Sequence, residues 1–434
     1  MRQYAHRFDI NDDSRLIDMC WYAKNLYNQA LYHSIINYRE TGCFIPYEEQ
    51  DKLMKHIENE DKKINYRLLK SKVAQQTLKL QEKDIKSYLT AYFDYRENPH
   101  KYKGEPEKPG FKQKATLLTY TNQACSIKDG YLKLEKDISI CIPQWDKYKE
   151  ELKNFNQVRV IPKNGFITIE IIYSVEDVVN EDVDYNEYCT IDIGMNNILT
   201  LVSPCTEPIL INGKQIKSIN NFYSKNKARL YSSKDERKGK HKIKYTEQLR
   251  CIDENRNYTN RDIMHQITKF IVNYCLHYGI GNIVIGYNQR WKDSINRGSL
   301  FDQQFFYIPF RQIIDKLEYK CQKYGLKFTR HEESYTSVCD ALAMETVGFH
   351  ESYKGSRVHR GLFQSSVGKL INADVNGALN ILRKVIGDSY VKRIIAIGLL
   401  YKPQTIKNVF TINSEETCSR FFERKIEKID CQVV

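Results

Sequence analysis

The segment Cys189-Thr-Ile-Asp-Ile-Gly194 places one aspartate within a short run of strongly β-forming residues, and the fold prediction starts from it. Four more segments are typical of strands: NILTLVS (197–203), EPILIN (207–212), NIVIG (282–286) and LKFTRHE (326–332). Helical segments precede each of the last two. Three antiparallel strands followed by alternating helices and parallel strands is the order of an RNase H-like fold, an α/β architecture.

Acidic residues stand at the ends of these elements. Asp192 lies in the first strand, where a buried carboxylate is costly unless it is paired or bound to metal. Glu332 and Glu333 end the fifth strand, and Asp374 begins the helical segment 373–385. Taken singly, each has an ordinary explanation, such as a strand edge or a helix cap. Gathered at one sheet edge, they could hold two divalent ions that clamp a phosphodiester, which predicts a metal-dependent nuclease.

The charge balance favours a polyanionic partner. Lys and Arg outnumber Asp and Glu by 67 to 54, a net charge of +13, and the 31 tyrosines can stack on bases. A basic protein without such a partner is the alternative. The 12 cysteines form no CxxC pair, which is typical of a reducing compartment. With no apolar leader and no apolar run longer than residues 394–400, we expect a cytoplasmic protein without a membrane partner.

The N-terminal part of the chain changes from helices to strands. Apolar residues recur at helical spacing over residues 14–40 and 63–96, which predicts a helical lobe. The segment 98–114 contains three prolines and two glycines, and its five lysines suit either a solvated linker or a contact with phosphates. Residues 115–177 alternate apolar and polar positions between short turns, which predicts an antiparallel β unit in the form of a small barrel.

The most basic stretch lies between the third and fourth strands of the sheet. Residues 225–244 contain nine Lys or Arg and only two acidic residues. On a helical hairpin these cations would form a track for a sugar-phosphate backbone, whereas a solvated helix face is the alternative. The candidate contacts are Lys225, Lys227, Arg229, Arg237, Lys238 and Lys240.

Several longer motifs carry a resemblance to a known family. They are AKNLYNQALY (23–32), KSKVAQQTLKL (70–80), KPGFK (108–112), YTNQA (120–124), TIDIGMNNILT (190–200), EESYTS (332–337), SYKGSRVHRGLF (352–363) and INADVNGALNILRKV (371–385). Through these motifs, nearly end to end, the chain resembles the TnpB family of RNA-guided nucleases from bacterial insertion elements. That family is related to type V CRISPR effectors and to the Fanzor nucleases.

The resemblance implies a multidomain α/β protein. We expect a helical recognition lobe inserted in a β-barrel wedge domain, followed by a RuvC-like nuclease domain of RNase H-like fold with a small inserted finger. The expected boundaries are 1–15 and 110–185 for the wedge, 16–109 for the lobe, 186–333 and 371–410 for the nuclease, 334–370 for the finger and 411–434 for a tail.

One departure from the family concerns the third catalytic carboxylate. Family members commonly carry a Glu at the end of the fourth strand, where this chain has Gly286. Either the nuclease is inactive, or Glu333 on the neighbouring strand replaces it, as in a subgroup of TnpB and Fanzor proteins. Neighbouring strands lie about 4.8 Å apart, so that a Glu can still reach the same ion. We favour Glu333 over Glu332 because alternation points the two side chains to opposite faces. The expected catalytic and metal-binding set is Asp192, Glu333 and Asp374.

A second departure is the finger, which in many relatives binds structural zinc through paired CxxC motifs. This chain has only Cys339 there, with His350 and His359 at irregular distances, so we expect no zinc. Arg357 and Arg360 would contact nucleic acid or only solvent. We expect a small finger core formed by Phe349, Tyr353, Leu362 and Phe363.

Three polar residues lie where the family reads a short DNA motif beside its target: Lys72, Gln76 and Asn122. Amides suit adenine edges and Lys suits guanine or phosphate, whereas ordinary surface polarity is the alternative.

The expected function is that of an RNA-guided DNA endonuclease that uses two Mg²⁺ ions, for which Mn²⁺ can substitute. It would cut double-stranded DNA beside a short flanking motif, as a monomer in the bacterial cytoplasm at the nucleoid, with a guide RNA from the element's own end. Three alternatives stay open: a compact type V CRISPR effector with an array-derived guide, a nuclease-dead RNA-guided regulator, and a DNA-binding transposase accessory without RNA.

Overall fold

The computed structural model describes residues 2–163, 165–176, 178–235, 246–288, 308–359 and 361–422. The chain divides into two compact units, residues 1–176 and 177–434. No helix within the described ranges is long and apolar enough to cross a bilayer. The finer domain boundaries given above stay predictions.

The first unit contains strand β1 (Arg2–Asn11) and helices α1 (Ser14–Thr41), α2 (Tyr47–Met54) and α3 (Ser71–Glu97). The Asp13 side chain caps α1 by accepting hydrogen bonds from the backbone N–H groups of Arg15 and Leu16, at 3.0 and 3.4 Å. Gly42 ends the helix at a φ of 73°, which glycine adopts without strain. The predicted helices at 14–40 and 63–96 are confirmed as α1 and α3, whereas α2 was not predicted.

The lysine-rich segment 98–114 packs in part against the helices. The Lys112 backbone N–H donates to Asn28 Oδ1 at 2.8 Å, and its ammonium group lies 3.0 Å from Asp84 Oδ2. The same ammonium lies 4.5 Å from the centre of the Tyr27 ring. At least this lysine of the segment therefore stabilises the helices.

Two antiparallel sheets complete the first unit. β1 joins β2 (Leu118–Thr121), β6 (Phe155–Pro162) and β7 (Phe166–Val175) in the order β1-β7-β6-β2. The second sheet contains β3 (Ser126–Lys128), β4 (Tyr131–Glu135) and β5 (Ile138–Cys141), and α4 (Trp145–Leu152) follows it. Both sheets share one core with α1 and α3. The predicted barrel is not found among the described residues, because the edge strands β1 and β2 do not pair with each other and the sheet stays open.

The second unit is built on a six-stranded sheet with the order β12-β11-β8-β9-β10-β16. β8 (Asp184–Ile193), β9 (Asn197–Val202) and β10 (Ile209–Asn212) form an antiparallel meander. β11 (Ile280–Gly286) runs parallel to β8, β12 (Lys327–His331) parallel to β11, and β16 (Gln404–Ile406) parallel to β10. The five predicted strands and their directions are confirmed; β16 is too short to show alternation and was missed.

Helices cover both faces of this sheet. Alternate strand residues face α6 (Glu247–His277) and α7 (Phe310–Lys323) on one side, with Ile283 and Ile285 in that core. Val284, between them, faces α8 (Ala373–Ile386) and α9 (Asp388–Ile397) on the other side. The other α-helices among the described residues of this unit are α5 (Lys214–Asp235), which packs on α6, and α10 (Glu415–Phe422).

The insert before α8 forms a small antiparallel sheet of β13 (Ser356–His359), β14 (Leu362–Gln364) and β15 (Leu370–Asn372). β15 continues directly into α8. Phe363 is buried as predicted, but Phe349 is 73% exposed, so its assignment to the finger core was wrong. Phe349 lies in a stretch without strand or helix, with its ring beside that of Tyr335.

Candidate functional site

The three predicted acids come from elements that meet at one edge of the six-stranded sheet. Asp192 is the penultimate residue of β8, Glu333 follows β12 by two residues, and Asp374 is the second residue of α8. Because β8, β11 and β12 run parallel, their carboxyl ends lie side by side. Ile191 and Ile193 belong to the core under α6 and α7, so Asp192 between them faces α8.

Two glycines mark how closely the acids approach their neighbours. A Cβ atom on Gly286, at the end of β11, would lie 2.8 Å from Glu333 Oε2. The Glu333 carboxylate therefore occupies the space in which a side chain at position 286 would begin. A Cβ atom on Gly377 in α8 would lie 3.4 Å from Asp192 Oδ1. This is van der Waals distance, so α8 packs directly against the Asp192 carboxylate at Gly377.

The carboxyl group of Asp192 has a pKa well above its usual range. Burial is the main cause, the negative charges of Glu333 and Asp374 add to it, and the Arg357 guanidinium opposes it. Charged groups that shift the pKa of Asp192 must lie within Coulombic reach of its carboxyl group. The three predicted acids therefore form one electrostatic cluster, and Arg357 belongs to its surroundings.

An asparagine that the sequence reasoning missed orients Asp374. Asn197, at the start of β9, donates from Nδ2 to Asp374 Oδ2 at 2.8 Å. The Asn372 side chain caps α8 by accepting hydrogen bonds from the backbone N–H groups of Asp374 and Val375, at 2.9 and 3.2 Å. The signal in the sequence was the polar pair Asn196-Asn197, in the tight turn directly after the Asp192 strand.

Glu332 is engaged in other contacts. Its carboxylate accepts hydrogen bonds from the backbone N–H of Ser334 at 2.8 Å and from the Ser334 hydroxyl, and Lys384 Nζ lies 3.1 Å away. The hydrogen bond from the Ser334 side chain is the main reason that the pKa of Glu332 lies below its usual value. The Glu332 side chain is 56% exposed, whereas Glu333 Oε2 is buried. These contacts favour Glu333 as the acid that belongs to the cluster.

The donor atoms suit a hard divalent cation. Three carboxylates supply the oxygen ligands that Mg²⁺ prefers, and bound cations relieve the kind of repulsion that raises the pKa of Asp192. Across the described residues, however, no three His, Cys, Asp or Glu side chains are close enough around one point to hold an ion. The carboxylates therefore repel one another without forming a closed cage, and side-chain rotations are needed to enclose a metal.

Three of the predicted nucleic-acid contacts lie on α5. Lys225 and Arg229 are exposed. Lys227 instead lies 3.5 Å from Asp253 on α6 and donates to the Tyr223 hydroxyl, so it helps to fix α5 on α6. The predicted contacts Arg237, Lys238, Lys240 and Arg360 lie outside the described residues.

The predicted motif-reading residues lie on α3 and in a turn beside β2. Lys72 and Gln76 are in the first two turns of α3, Asn122 follows β2, and both elements contribute to one core. Lys72 and Asn122 are exposed, and Gln76 is half-buried. The sequence reasoning missed the residues of a neighbouring open pocket of about 470 Å³, whose polar lining includes Lys70, Gln123, Lys133 and Lys136.

Comparison with known proteins gives two family matches and one curated relative. Residues 170–292 match the family described as a probable transposase (OrfB_IS605), and residues 310–381 match the TNB domain of Cas12f1-like proteins. The TnpB-like protein ORF457 of Acidianus two-tailed virus is 26% identical over 209 residues, which are 46% of this chain and 42% of the viral protein. The match thus spans less than half the length of that relative.

One solved structure shows a related fold. A cryo-EM structure of a Cas12f1–sgRNA–target DNA complex matches with a TM-score of 0.52 and 13% identity, over 85% of this chain and 81% of that one. CasPhi-2 (Cas12j) bound to crRNA matches more weakly, with a TM-score of 0.46 and 9% identity over 90% and 99% of the two chains. The Cas12f1 match shows a mixed α/β fold that resembles Cas12 effectors. The two family matches and the viral relative support a TnpB family protein.

Proposed function

We propose that the protein is an RNA-guided endonuclease that cuts double-stranded DNA beside a short flanking motif, directed by a guide RNA from the end of its own transposable element. The observation that carries this proposal is the meeting of Asp192, Glu333 and Asp374 at the carboxyl edge of the sheet. The strand order of that sheet is the one expected of RNase H-like nucleases. The similarity to TnpB proteins supports an RNA-guided nuclease.

The residues at the sheet edge have distinct roles in this proposal. The three carboxylates would hold two Mg²⁺ ions, or Mn²⁺ in their place, which supply an activated water and charge stabilisation at the leaving oxygen. Asn197 would hold the Asp374 carboxylate in one orientation by donating a hydrogen bond to Oδ2. Arg357, which lies within electrostatic reach of Asp192, would bind a phosphate oxygen of the strand being cut.

Nucleic-acid binding would use other parts of the chain. The exposed Lys225 and Arg229 on α5 would follow a phosphate backbone, and Lys72, Gln76 and Asn122 would read the flanking motif. We further propose that the protein acts as a monomer in the bacterial cytoplasm, at the nucleoid.

The test begins with the protein purified together with co-expressed RNA from its own locus. Sequencing that RNA distinguishes an element-end guide from an array-derived guide, and the absence of RNA would favour a simple DNA-binding accessory. A plasmid that carries the matched target is then cut in Mg²⁺ by wild type, Asp374→Ala and the exposed α6 change Asp262→Ala. We expect Asp262→Ala to cut like wild type and Asp374→Ala to lose at least about 100-fold in rate. Equal cutting by wild type and Asp374→Ala would remove the mechanism.

The third acid decides between a nuclease and a nuclease-dead regulator. Gly286 is the observation that favours the regulator, but the Glu333 carboxylate lies against that glycine and can supply the missing group. We expect Glu333→Gln to abolish cutting and Glu332→Gln to preserve most of it. If neither change affects cleavage, the assignment of the third acid is wrong; if the wild-type complex binds its target and never cuts, the protein is the regulator.

A further inference from the structure

One face of α8 carries three buried polar residues at helical spacing: Asn376, Asn380 and Arg383. Asn376 accepts a hydrogen bond from the Ala341 backbone N–H at 3.0 Å and donates to the Cys339 carbonyl at 2.8 Å. Polar side chains of this kind are rarely buried, so their position needs an explanation. The explanation lies in the loop they bind, which begins directly after Glu333.

Asn380 makes the central contacts of this face. Its Nδ2 donates to the carbonyl oxygens of Thr336 and Cys339, at 2.9 and 2.7 Å. Its Oδ1 accepts from Arg383 Nη1 at 3.0 Å, and the same Arg383 nitrogen donates to the Glu345 carbonyl at 2.7 Å. Both protons and the oxygen of the Asn380 amide are therefore used to fasten the loop to α8.

The same loop holds the backbone of the candidate acid. The Thr336 backbone N–H and hydroxyl both donate to the Glu333 carbonyl, at 3.2 and 2.7 Å. Glu333 is thus linked through Thr336 to Asn380, on the helix whose first turn carries Asp374. That helix also reaches Gly286, where a Cβ atom would meet Ile381 at 2.5 Å. One short chain of hydrogen bonds therefore fixes the Glu333 backbone relative to α8, the helix that carries Asp374.

We propose that Asn380 is a positioning residue that sets the separation of Glu333 and Asp374 and thereby the affinity of the site for divalent cations. The inference rests on the proposed function. No three carboxylates of the described residues surround one point, so the side chains must move together to bind an ion. The position of the Glu333 backbone sets how far they must move, and it therefore affects the free energy of ion binding. The amide suits this task because it donates two hydrogen bonds to carbonyl groups and adds no charge to an acidic cluster.

The test uses a change that replaces the two donors by a carboxylate of the same shape, and its control adds the same carboxylate at a buried site elsewhere. Asn380→Asp keeps the shape of the side chain and the acceptor for Arg383, but it cannot donate to Thr336 and Cys339. The matched control is Asn65→Asp in the first unit, where the buried Asn65 donates to Gln29 Oε1 at 3.0 Å. Mn²⁺ binding is measured by electron paramagnetic resonance, and the Mg²⁺ concentration for half-maximal cleavage is measured with the RNA-loaded protein. Both variants are also compared in target binding and in Tm.

We expect Asn380→Asp to weaken Mn²⁺ binding and to raise the Mg²⁺ requirement by about 10- to 100-fold, with target binding unchanged. Asn65→Asp should lower only Tm. If the two variants share the wild-type Mn²⁺ affinity and Mg²⁺ requirement, the role of Asn380 is merely structural and the inference fails. If Asn380→Asp does not fold, Thr336→Val is the deciding variant, because it removes the hydroxyl donor to Glu333. It must then weaken Mn²⁺ binding and raise the Mg²⁺ requirement.

Failure of the proposed function gives a different result. Asp374→Asn must abolish the Mn²⁺ binding that Asn380→Asp weakens. Equal Mn²⁺ binding by wild type and Asp374→Asn would show that the acids hold no metal, and the proposed function and this inference would then fall together. Loss of binding in Asp374→Asn, with wild-type binding in Asn380→Asp, would overturn only the inference.

Discussion

At the residue scale, Gly286 is the position where the missing side chain makes room for another residue's carboxylate. A Cβ atom there would lie 2.5 Å from Ile381 Cδ1 and 2.8 Å from Glu333 Oε2. Gly286→Ala should therefore displace Glu333, destabilise the second unit by about 1–3 kcal/mol and slow single-turnover cleavage by about 100-fold. Cleavage rates and thermal unfolding measure the two effects.

Gly110→Ala is the control for that change, since nothing lies within 4 Å of a Cβ atom at position 110. It should leave the cleavage rate unchanged. Wild-type cleavage by Gly286→Ala would mean that Glu333 does not depend on the space at position 286, and the replacement of the family's usual acid would lose its structural basis.

Asp192 gives a prediction about pH. Its pKa is raised in the folded chain by burial and by the charges of Glu333 and Asp374. Between the ordinary value of 3.8 and that raised value, the folded state binds more protons than the unfolded state, so stability falls as pH rises. Asp192→Asn removes this loss of stability. In EDTA at neutral pH the variant should have a higher Tm than wild type, and the difference should shrink as pH falls toward 3.8.

Divalent cations should reverse the order of the Tm values of wild type and Asp192→Asn. Mg²⁺ should raise the Tm of wild type, because it binds the folded state, and should have little effect on Asp192→Asn. Asp262→Asn, an exposed change on α6, corrects for the loss of one negative charge from a basic chain. A neutral-pH Tm in EDTA that is lower for Asp192→Asn than for wild type would contradict the repulsion inferred at this site.

At the element scale, one buried carboxylate holds parts of the insert together. Asp340 is fully buried and accepts hydrogen bonds from the backbone N–H groups of Leu342 and Ser366, at 3.1 and 2.8 Å. The hydroxyl groups of Ser365 and Ser366 donate to it as well, at 2.8 to 3.0 Å. This one side chain thus ties the loop after Cys339 to the turn after β14.

Measurements of stability and of metal content test how the insert is held. Asp340→Ala should lower the free energy of unfolding by about 2–3 kcal/mol, because several buried donors lose a charged acceptor. Glu351→Ala, a change at an exposed residue of the same insert, should leave the free energy of unfolding almost unchanged. A zinc chelator should leave the wild-type Tm unchanged and elemental analysis should detect no bound zinc. A Tm that falls on chelation would show that a metal holds the insert after all.

The elements also show which features a sequence can predict. The strand order followed from local patterns, since periodicity is a property of short segments, whereas the roles of the three acids stay predictions. The barrel was wrong because closure depends on hydrogen bonds between β1 and β2, which are more than a hundred residues apart. Asn197 and Asn380 were missed because their partners, Asp374 and Thr336, lie far away in the sequence.

At the scale of the whole molecule, a net charge of +13 predicts a polyanionic partner but does not say which cations meet it. On α5 the structure separates two classes of cation. Lys225 and Arg229 are exposed, whereas Lys227 is joined to Asp253 and Tyr223. A cation already paired within the protein releases fewer counterions on binding RNA or DNA. A count of all Lys and Arg residues therefore overestimates the number that contact nucleic acid.

The salt dependence of nucleic-acid binding tests this distinction. Lys225→Gln combined with Arg229→Gln should weaken binding and reduce the slope of log Kd against log salt concentration by about 1 to 2, roughly one unit for each phosphate that the variant no longer neutralises. Lys227→Gln should lower Tm, since it breaks the link between α5 and α6, with little change in slope. Filter binding at several salt concentrations gives both slopes. If Lys227→Gln changes the slope as much as the double variant does, Lys227 exchanges Asp253 for a phosphate in the complex, and the pairing seen on α5 belongs only to the protein without nucleic acid.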